Sequence, residues 1–522
     1  MNREEQLSKL KQTPEWDVII IGGGASGLGI ALDSASRGYK TVLVEAIDFA
    51  KGTSSRSTKL AHGGIRYLEQ LDIALIREAL KERELMLKNA GHLVKSQSFV
   101  IPVYNRLNGY YFSTGLKIYD LLAGSTSFGS SQSISKEKTI ELLPTIAQEG
   151  LQGGIIYHDG QFDDALFAIN LARTAIEKGA CLLNYVKAVQ ILKTKDNQIS
   201  GIITEDQETE EKYTLKGKAV INATGVFTNA IMSLDSSKNK KFVIPSQGIH
   251  LVFDKSFLPS ENALLIPKTR DGRVLFMVPW HDKLIVGTTD TPVDEPSLEP
   301  KPLETEINFI LETAQNFLTK KPQRSDVLSV FAGLRPLALP KKEGKNPKEI
   351  SRNHQIIVSD SGLISVIGGK WTTYRKIAED VVDKVIEIHD LPKAECKTRN
   401  IAIHGHTTVT ESERKNHLSV YGTDTPELLK LQENEPALKE KLHHNYPYTL
   451  SEVVWAIRNE MARTVEDILA RRLRLLFLDA RAAIECSEKV ASLLSRELNK
   501  GTDWKQKQIA DFKKVAQGYL LD

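Results

Sequence analysis

The sequence predicts an α/β protein with a second domain built on a mixed sheet and a helical C-terminal region. Two short, β-branched apolar runs at 17–21 and 41–45 enclose a glycine cluster and an Ala/Leu/Ile-rich stretch, the order expected for strand, tight turn, helix and strand. The middle of the chain alternates strand-like pieces with Pro and Gly turns, which is typical of a mixed or antiparallel sheet. From about residue 386 onward the chain is charged and shows helical spacing.

The composition is that of an ordinary globular protein. Of 522 residues, 41% are hydrophobic and 26% are charged, which excludes disordered, collagen-like and coiled-coil chains. The 69 Lys and Arg nearly balance the 66 Asp and Glu, so the net charge of +3 predicts no nucleic-acid partner. Cys181, Cys396 and Cys486 lie too far apart in the sequence for a disulfide framework, which favours a reducing compartment and a cytoplasmic location.

Neither a secretory signal nor a membrane-spanning helix is expected. Residues 1–16 mix Glu, Lys and Gln and contain no apolar core of the kind that signal peptides carry. The uncharged stretch 18–32 is shorter than the roughly 20 residues that span a bilayer, and glycines interrupt it. Peripheral contact with a membrane is left open.

The glycine motif Gly22-x-Gly24-x-x-Gly27 lies directly after the first predicted strand and opens the first predicted helix. Glycines at this spacing let the backbone turn tightly and approach a pyrophosphate at the helix N-terminus, which indicates a Rossmann-like dinucleotide-binding domain. Glu45, at the end of the next strand, can accept a hydrogen bond from a ribose 2′-hydroxyl and would repel the 2′-phosphate of NADP. FAD and NAD both remain candidates. The predicted pyrophosphate contacts are Gly22, Gly24, Ala25, Ser26 and Gly27.

A polar segment at 53–59 follows this unit and is rich in hydroxyl groups with two cations. Such a segment can contact phosphate or the edge of a flavin ring, although its composition is equally that of a solvated loop. Its predicted cofactor contacts are Thr53, Ser54, Ser55, Thr58 and Lys59. His62, Arg66 and Tyr67 come next, beside two glycines. A lone histidine is more often structural, but this density of reactive groups makes His62 a catalytic candidate.

Three cations in the second half of the chain are candidates for anion binding: Arg335, Arg352 and Lys370. The planar fork of arginine suits bidentate binding of phosphate, and charged hydrogen bonds are worth ~1.5–3 kcal/mol each. Each cation could equally belong to a surface ion pair. Strand-like runs end in glycines at 223–225 and 368–370, and both strands are expected to return to the first domain. At 368–370, as in the glycine motif, glycines follow a predicted strand and precede a predicted helix, which is a pattern that binds anions.

Two other patterns are weaker. The histidines at 404–406 and 443–444 lack further ligands at metal spacing, so they are interpreted as surface residues and no metal site is expected. The stretch 470–478 carries Arg471, Arg472 and Arg474 among apolar residues. One interpretation is a basic amphipathic face that binds anionic lipid. The other, which is about twice as favoured as the first, is a helix packed in the core with its arginines solvated.

Taken together, these motifs resemble the FAD-dependent, aerobic-type glycerol-3-phosphate dehydrogenases. The matching segments are 17–38 with Glu45, 53–67, 222–225, 333–337, 368–375, 462–467 and 479–483. They extend over most of the chain, which makes the resemblance far more specific than the glycine motif alone.

The resemblance implies a Rossmann-like FAD-binding domain of the glutathione-reductase and D-amino-acid-oxidase type, a mixed-sheet substrate domain and a helical C-terminal cap. We expect an FAD-dependent oxidoreductase region over 1–385. Its discontinuous FAD-binding part would cover about 14–95, 150–240 and 335–385, and its substrate part about 96–149 and 241–334. The cap would occupy 386–522.

The resemblance also implies oxidation of sn-glycerol 3-phosphate at C2 to dihydroxyacetone phosphate, with electrons passing from FAD to a membrane quinone. Family members are commonly dimers and peripheral membrane proteins, which would place this protein on the cytoplasmic face of the inner membrane. The related glycerophosphate oxidases use O₂, release hydrogen peroxide and carry an insertion that this sequence lacks. A nicotinamide-linked dehydrogenase and a flavin- or NAD-binding regulatory protein without turnover are further alternatives.

Carried over by position, five residues would line the substrate site: Arg66, Tyr67, Arg335, Arg352 and Lys370. The cofactor would also contact Ala223, Thr224, Gly225, Gly369, Lys370, Trp371 and Thr372. We expect hydride transfer from C2 to flavin N5 while a base removes the C2 hydroxyl proton. His62 is the first choice of base and His250 the second, because neutral imidazole accepts a proton near pH 7. Arg335, which is always protonated, would stabilise the developing alkoxide.

Overall fold

A computed structural model describes residues 1–64, 72–124, 128–236, 241–339 and 354–521. The helices are α1 (Arg3–Gln12), α2 (Ala25–Arg37), α3 (Ile73–Asn89), α4 (Arg106–Ala123), α5 (Lys136–Leu142), α6 (Asp164–Glu177), α7 (Thr228–Asp235), α8 (Glu304–Phe317), α9 (Tyr374–His389), α10 (Thr425–Asn434), α11 (Leu450–Asn459), α12 (Leu475–Leu478), α13 (Ala480–Glu497) and α14 (Thr502–Gln517). The strands are β1 (Trp16–Ile21), β2 (Thr41–Val44), β3 (Leu60–Ala61), β4 (Val94–Val103), β5 (Gln132–Ile134), β6 (Gly153–Phe162), β7 (Cys181–Leu183), β8 (Val186–Lys193), β9 (Ile199–Asp206), β10 (Lys212–Asn222), β11 (Val243–Asp254), β12 (Ala263–Ile266), β13 (Leu275–Trp280), β14 (Lys283–Gly287), β15 (Thr291–Pro292), β16 (Ser329–Ala338), β17 (Gln355–Val358) and β18 (Ile364–Ile367).

The glycine motif belongs to a sheet with strand order β17-β18-β10-β1-β2-β7. The strands from β18 to β7 run parallel, β17 lies antiparallel at one edge, and β9 and β8 extend the sheet from β10. Val18 and Ile20 of β1 pack into the core formed with α2, α6 and α9, whereas Ile19 and Ile21 are buried on the opposite face. Burial on both faces explains the continuous apolar runs. The predicted strand, helix and strand unit is confirmed.

The second sheet has the order β15-β11-β14-β13-β12-β4-β6-β3, with β16 paired to β11 and β5 paired to β6. Among its described pairs, β12 and β4 run parallel and the others antiparallel. In the β11–β16 pair, His250 lies opposite Phe331, and Gly248 lies opposite Gly333. This mixed sheet and its register place the candidate histidine and arginine on two adjacent strands.

The C-terminal region is helical, as expected, and packs on the second sheet. Leu476 and Val490 share one apolar core with Phe331 of β16. Between α11 and α12 the chain forms a π-helical turn at Asp467–Arg472, and Arg474 then adopts a left-handed conformation with φ of 63°. Among the described residues, no helix is both long enough and apolar enough to cross a bilayer.

Candidate active site

The turn between β1 and α2 lets a ligand approach the backbone closely. Gly22 has a φ of +109°, and a Cβ there would lie 2.7 Å from the carbonyl oxygen of Ala223. A Cβ on Gly27 would lie 1.9 Å from the carbonyl oxygen of Gly22. Only glycine fits at either position. Because α2 has no acidic residue in its first turn, its positive N-terminal end can attract an anion.

Glu45 lies beside this turn, directly after β2. Its Oε2 accepts a hydrogen bond from the N–H of Gly23 at 2.7 Å, and its Oε1 accepts one from the N–H of Ile47 at 3.0 Å. Burial raises the pKa of the Glu45 carboxyl, and the two backbone hydrogen bonds oppose that rise. Each carboxylate oxygen has a second lone pair that can accept from a ribose hydroxyl.

The polar segment packs against the turn instead of extending into solvent. The hydroxyl oxygen of Ser54 accepts from the N–H of Ala25 at 2.9 Å, and the Ser54 carbonyl accepts from Trp371 Nε1 at 2.8 Å. Thr53 Oγ1 donates to the carbonyl oxygen of Leu334 at 2.6 Å. The segment therefore joins the glycine turn, the second sheet and the turn that precedes α9.

Lys59, Asp164 and Arg474 form a buried ion cluster under the polar segment. Lys59 Nζ donates to Asp164 Oδ2 at 2.7 Å and to the Ser55 carbonyl at 2.7 Å. Arg474 Nη2 donates to Asp164 Oδ1 at 2.8 Å and to the same Ser55 carbonyl at 3.0 Å. Burial lowers the pKa of Lys59 to about 7, with Asp164 opposing the shift and Arg474 adding to it. A C-terminal arginine thus holds the segment that was predicted to contact the cofactor.

We expect Arg474→Met to lower the free energy of unfolding by about 3–5 kcal/mol. Arg474 Nε also lies 3.5 Å from Asp163 Oδ1, so its removal leaves two buried carboxylates, Asp163 and Asp164, facing the single cation Lys59. Chemical denaturation followed by far-UV circular dichroism measures the change. Arg496→Met is the matched control: Arg496 is 52% exposed and pairs with Glu497, so its removal should cost less than about 1 kcal/mol. Equal losses in the two variants would contradict the importance given to the cluster.

His250 is buried, and its ring stacks on that of Phe331 at a centroid distance of 4.8 Å. Its Nε2 lies 2.9 Å from Thr58 Oγ1, and its Nδ1 has no hydrogen-bond partner within the described part of the chain. Burial lowers the pKa of His250 well below its usual value, and the nearby cations Lys59 and Arg335 lower it further. The imidazole is therefore neutral at physiological pH.

Arg335 lies four residues after Phe331 on β16 and shares its face of the sheet. Its guanidinium lies 3.3 Å from Asp290 Oδ1 and 3.3 Å from Thr288 Oγ1. A Cβ on Gly248 would lie 2.4 Å from Arg335 Nη2, so the side chain lies directly over the β11 backbone. With 31% of its side chain exposed, Arg335 combines a fixed position with access for a ligand.

Lys370 lies on the loop between β18 and α9. Gly368 and Gly369 before it have φ values of +74° and +94°, which favour glycine. A cavity of about 280 Å³ opens beside this loop. Its lining includes Asp72, Glu78, His354, Lys370 and Thr373. The structure therefore places Lys370 at a cavity that a polar ligand could enter.

The structure brings Arg335, His250 and the polar segment together. It places His62, half-buried, immediately after β3. Arg66, Tyr67 and Arg352, the other predicted substrate contacts, lie outside the described residues. The assignments of these three residues stay predictions.

The remaining predicted cofactor contacts lie at the carboxyl ends of β10 and β18, next to the glycine turn. The N–H and Oγ1 of Thr224 donate to Asn222 Oδ1 at 3.3 and 2.7 Å. Gly225 follows with a φ of +58°, and Ala223 packs on the turn through its carbonyl. Thr372 is buried in the short turn before α9. Carboxyl ends of parallel strands are where dinucleotides bind in such sheets.

Sequence reasoning missed the structural importance of Asp164 and Arg474. Asp164 opens α6 and has the sequence context of an ordinary helix start, and nothing in the sequence pairs it with a residue 310 positions away. The interpretation of His443 as a surface residue is wrong, since it is buried with Nε2 3.1 Å from Glu485.

Of the two interpretations of 470–478, the lipid-binding face is wrong, whereas the core-packed helix is confirmed for the apolar residues, such as Leu475 and Phe477, and wrong only about solvated arginines. Arg471, Arg472 and Arg474 are only 1–2% exposed, so they are neither solvated nor available to lipid. Arg471 donates to Asp48 and Asp467, each at 2.6 Å, and Arg472 also pairs with Asp48. These arginines instead attach the C-terminal region to the first domain.

Known proteins resemble the chain over nearly its whole length. Residues 17–375 match the family model described as FAD dependent oxidoreductase, and residues 363–509 match the C-terminal domain of alpha-glycerophosphate oxidase. The mitochondrial glycerol-3-phosphate dehydrogenase of Mus musculus is 39% identical over 540 residues, covering 97% of this chain and 74% of the mouse protein. The glycerol-3-phosphate dehydrogenase of Bacillus halodurans, solved in complex with FAD, superposes with a TM-score of 0.81 at 28% identity, over 99% of this chain and 97% of that one. A glycerophosphate oxidase of Mycoplasma pneumoniae, with a TM-score of 0.56 and 18% identity over 74% of this chain and 97% of that one, shares the fold.

The residues present fit FAD. The glycine turn leaves room for a pyrophosphate at the N-terminus of α2, and the Glu45 carboxylate beside the turn can accept a hydrogen bond from a ribose hydroxyl. The polar segment and the turn before α9 close on the same side of the sheet. With FAD as its cofactor and both family models matched, the chain belongs to the FAD-dependent glycerol-3-phosphate dehydrogenases.

Proposed function

We propose that this protein oxidises sn-glycerol 3-phosphate at C2 to dihydroxyacetone phosphate. The observation that carries the proposal is the placement of Arg335 and His250 on one face of the β11–β16 pair, beside the polar segment that packs on the glycine turn. A phosphorylated secondary alcohol needs a cation for its phosphate or developing alkoxide and a neutral base for its hydroxyl proton. The names of the relatives support this substrate.

FAD, when bound, supplies the acceptor for the hydrogen and two electrons of C2. The chain supplies the proton acceptor, for which we favour His250 over His62 because the Arg335 guanidinium lies over Gly248, two residues before His250 on β11. If His250 Nε2–H donates to Thr58 Oγ1, Nδ1 carries the lone pair. Because Nδ1 is buried, the imidazole must shift toward the substrate on binding before it can take the hydroxyl proton. Arg335 donates to the oxygen as negative charge develops there.

Anaerobic titration of the purified holoenzyme with sn-glycerol 3-phosphate tests the reaction. Loss of the visible flavin absorbance with a stoichiometric yield of dihydroxyacetone phosphate is the expected result. A flavin that stays oxidised with this substrate would overturn the proposal and favour a binding protein without turnover. Glycerol is the control, because it keeps the C2 hydroxyl but lacks the phosphate anion, and it should leave the flavin oxidised.

We expect Arg335→Ala to lower kcat/KM for glycerol 3-phosphate about 10- to 150-fold, since each charged hydrogen bond is worth ~1.5–3 kcal/mol. The FAD content should not change, because the contacts of the glycine turn are untouched. Steady-state kinetics and the visible absorbance of the purified variant measure the two effects. Arg324→Ala is the matched control, since exposed Arg324 pairs with Glu304 on the same domain. Parallel losses of FAD and activity in Arg335→Ala would contradict the assignment.

We also propose that the electrons pass to a membrane quinone. The exposed face of α4 supports this: its large apolar side chains point into solvent in a stripe with helical spacing. They are Leu107, Tyr110, Tyr111, Ile118 and Leu121, between 45% and 80% exposed. A helix of this kind can lie in the surface of a bilayer, where quinones dissolve.

Turnover with a soluble ubiquinone analogue but without peroxide release would support the quinone, whereas O₂-dependent peroxide at a similar rate would favour an oxidase. Sedimentation with phospholipid vesicles tests the membrane contact, and the double variant Leu107→Asp/Leu121→Asp should abolish it.

The family resemblance alone supports a homodimer at the cytoplasmic face of the inner membrane. Light scattering and cell fractionation test these two proposals.

A further inference from the structure

The backbone after His62 is tied to a buried chain of hydrogen bonds that reaches across three elements. The N–H of Gly63 donates to Tyr119 Oη at 2.9 Å. Tyr119 Oη in turn donates to Asp159 Oδ2 at 3.1 Å, and Arg83 Nη1 donates to Asp159 Oδ1 at 2.6 Å. The three side chains come from α4, β6 and α3. Each lies within hydrogen-bonding distance of the next group.

These groups are almost inaccessible to bulk solvent. Tyr119 and Arg83 are 1% exposed, and Asp159 is 2% exposed. Burial raises the pKa of Tyr119 well above its usual value, so its hydroxyl keeps the proton that it donates to Asp159. A buried hydroxyl with both a donor and an acceptor partner has one preferred orientation.

Gly63 packs directly against the hydroxyl of Tyr119. A Cβ at that position would lie 2.3 Å from Tyr119 Oη and 2.5 Å from Leu80 Cδ2. In the β3–β6 pair, Ala61 lies opposite Gly160, so the same register carries His62 to a position opposite Asp159. The hydroxyl of Tyr119 is thus the nearer of two acceptors that hold the backbone after His62, since the Gly63 N–H also lies 3.3 Å from Asp159 Oδ1.

We propose that Tyr119 is a positioning residue for the reaction: through its hydroxyl, held by Asp159 and Arg83, it fixes the backbone after His62, whose imidazole would orient the substrate hydroxyl while His250 takes the proton. The proposal rests on the proposed function, because it concerns the oxidation of glycerol 3-phosphate. It also gives α4 two separate tasks, since Tyr119 lies on its buried face and the apolar stripe on its exposed face.

Tyr119→Phe tests the proposal, because it removes the hydroxyl and keeps the ring that packs against Ile76 and Leu80. We expect the rate of anaerobic flavin bleaching by glycerol 3-phosphate to fall about tenfold, with FAD content unchanged and the thermal midpoint lowered by only a few degrees. Tyr104→Phe is the matched control, since it removes a hydroxyl that donates to the Ala147 carbonyl at 2.7 Å elsewhere in the fold. An unchanged bleaching rate in Tyr119→Phe would overturn the proposal.

Two further measurements separate positioning from a general loss of stability. If Tyr119 acts through the His62 segment, its effect should shrink at least threefold in a His62→Gln background, and additive effects would overturn the proposal. Hydrogen exchange of the peptide containing Gly63 needs no substrate, and it should become about tenfold faster in Tyr119→Phe. Unchanged exchange would overturn the proposal even if the wild type is active. Faster exchange in a protein whose wild type is not bleached would instead place the failure in the proposed function.

Discussion

Replacing Gly27 by alanine is expected to yield a protein that retains less than about a tenth of its FAD. The new Cβ would lie 1.9 Å from the carbonyl oxygen of Gly22. That contact is with backbone on a buried turn, so the start of α2 must move away from β1, and the pyrophosphate loses the geometry that the turn provides. The ratio of visible to ultraviolet absorbance of the purified protein measures the FAD content.

The control for this prediction is Gly501→Ala. Gly501 precedes α14 with a φ of −78°, and nothing lies within 4 Å of a Cβ placed there. This variant should bind FAD as the wild type does. Far-UV circular dichroism of Gly27→Ala shows whether the fold persists without the cofactor. A fully yellow Gly27→Ala protein would contradict the placement of the pyrophosphate at this turn.

Replacing His250 by glutamine is expected to slow anaerobic bleaching of the flavin by about 10²- to 10⁴-fold, the usual contribution of a positioned general base. Glutamine can keep a hydrogen bond to Thr58, but it cannot take a proton. FAD content should stay unchanged, because His250 lies on the second sheet and not in the glycine turn. Stopped-flow absorbance at saturating glycerol 3-phosphate measures the rate.

The pH dependence follows from the direction of the His250 shift. Because burial lowers its pKa, the imidazole stays unprotonated as the pH falls through about 6.5, so wild-type bleaching should be flat between about pH 6 and 8. Because the substrate phosphate itself titrates at about pH 6, only an acid limb that disappears in His62→Gln would indicate a base of ordinary pKa. His417→Gln, at a half-buried histidine beside Glu452, is the control. If His250→Gln bleaches normally and His62→Gln does not, the base is His62.

Local patterns in the sequence predicted much of the cofactor domain. The glycine motif, the two strands around it and the acid after β2 all depend on near neighbours, and each was found where it was expected. The start of α3 also depends on a near neighbour, since the Asp72 side chain caps the helix by accepting from the N–H of Leu75 at 3.1 Å. Such signals depend on spacing along one element, which a sequence states directly.

Local patterns failed where charges are buried. An arginine in an apolar stretch has the same sequence context whether its guanidinium faces water or a carboxylate, and only the surrounding fold decides between them. Arg471 and Arg472 meet Asp48 across more than four hundred residues, so their pairing could not be deduced from spacing.

The sequence by itself therefore determined the βαβ unit, the glycine turn and, through the resemblance, the family and FAD. The tertiary structure decided which histidine lies beside Arg335 and which carboxylates neutralise the C-terminal arginines. It also showed that the backbone after His62 rests on Tyr119. The physical reason is that the periodicity of an element is a local property. The burial, partners and proton affinity of a side chain depend on groups that only folding brings to it.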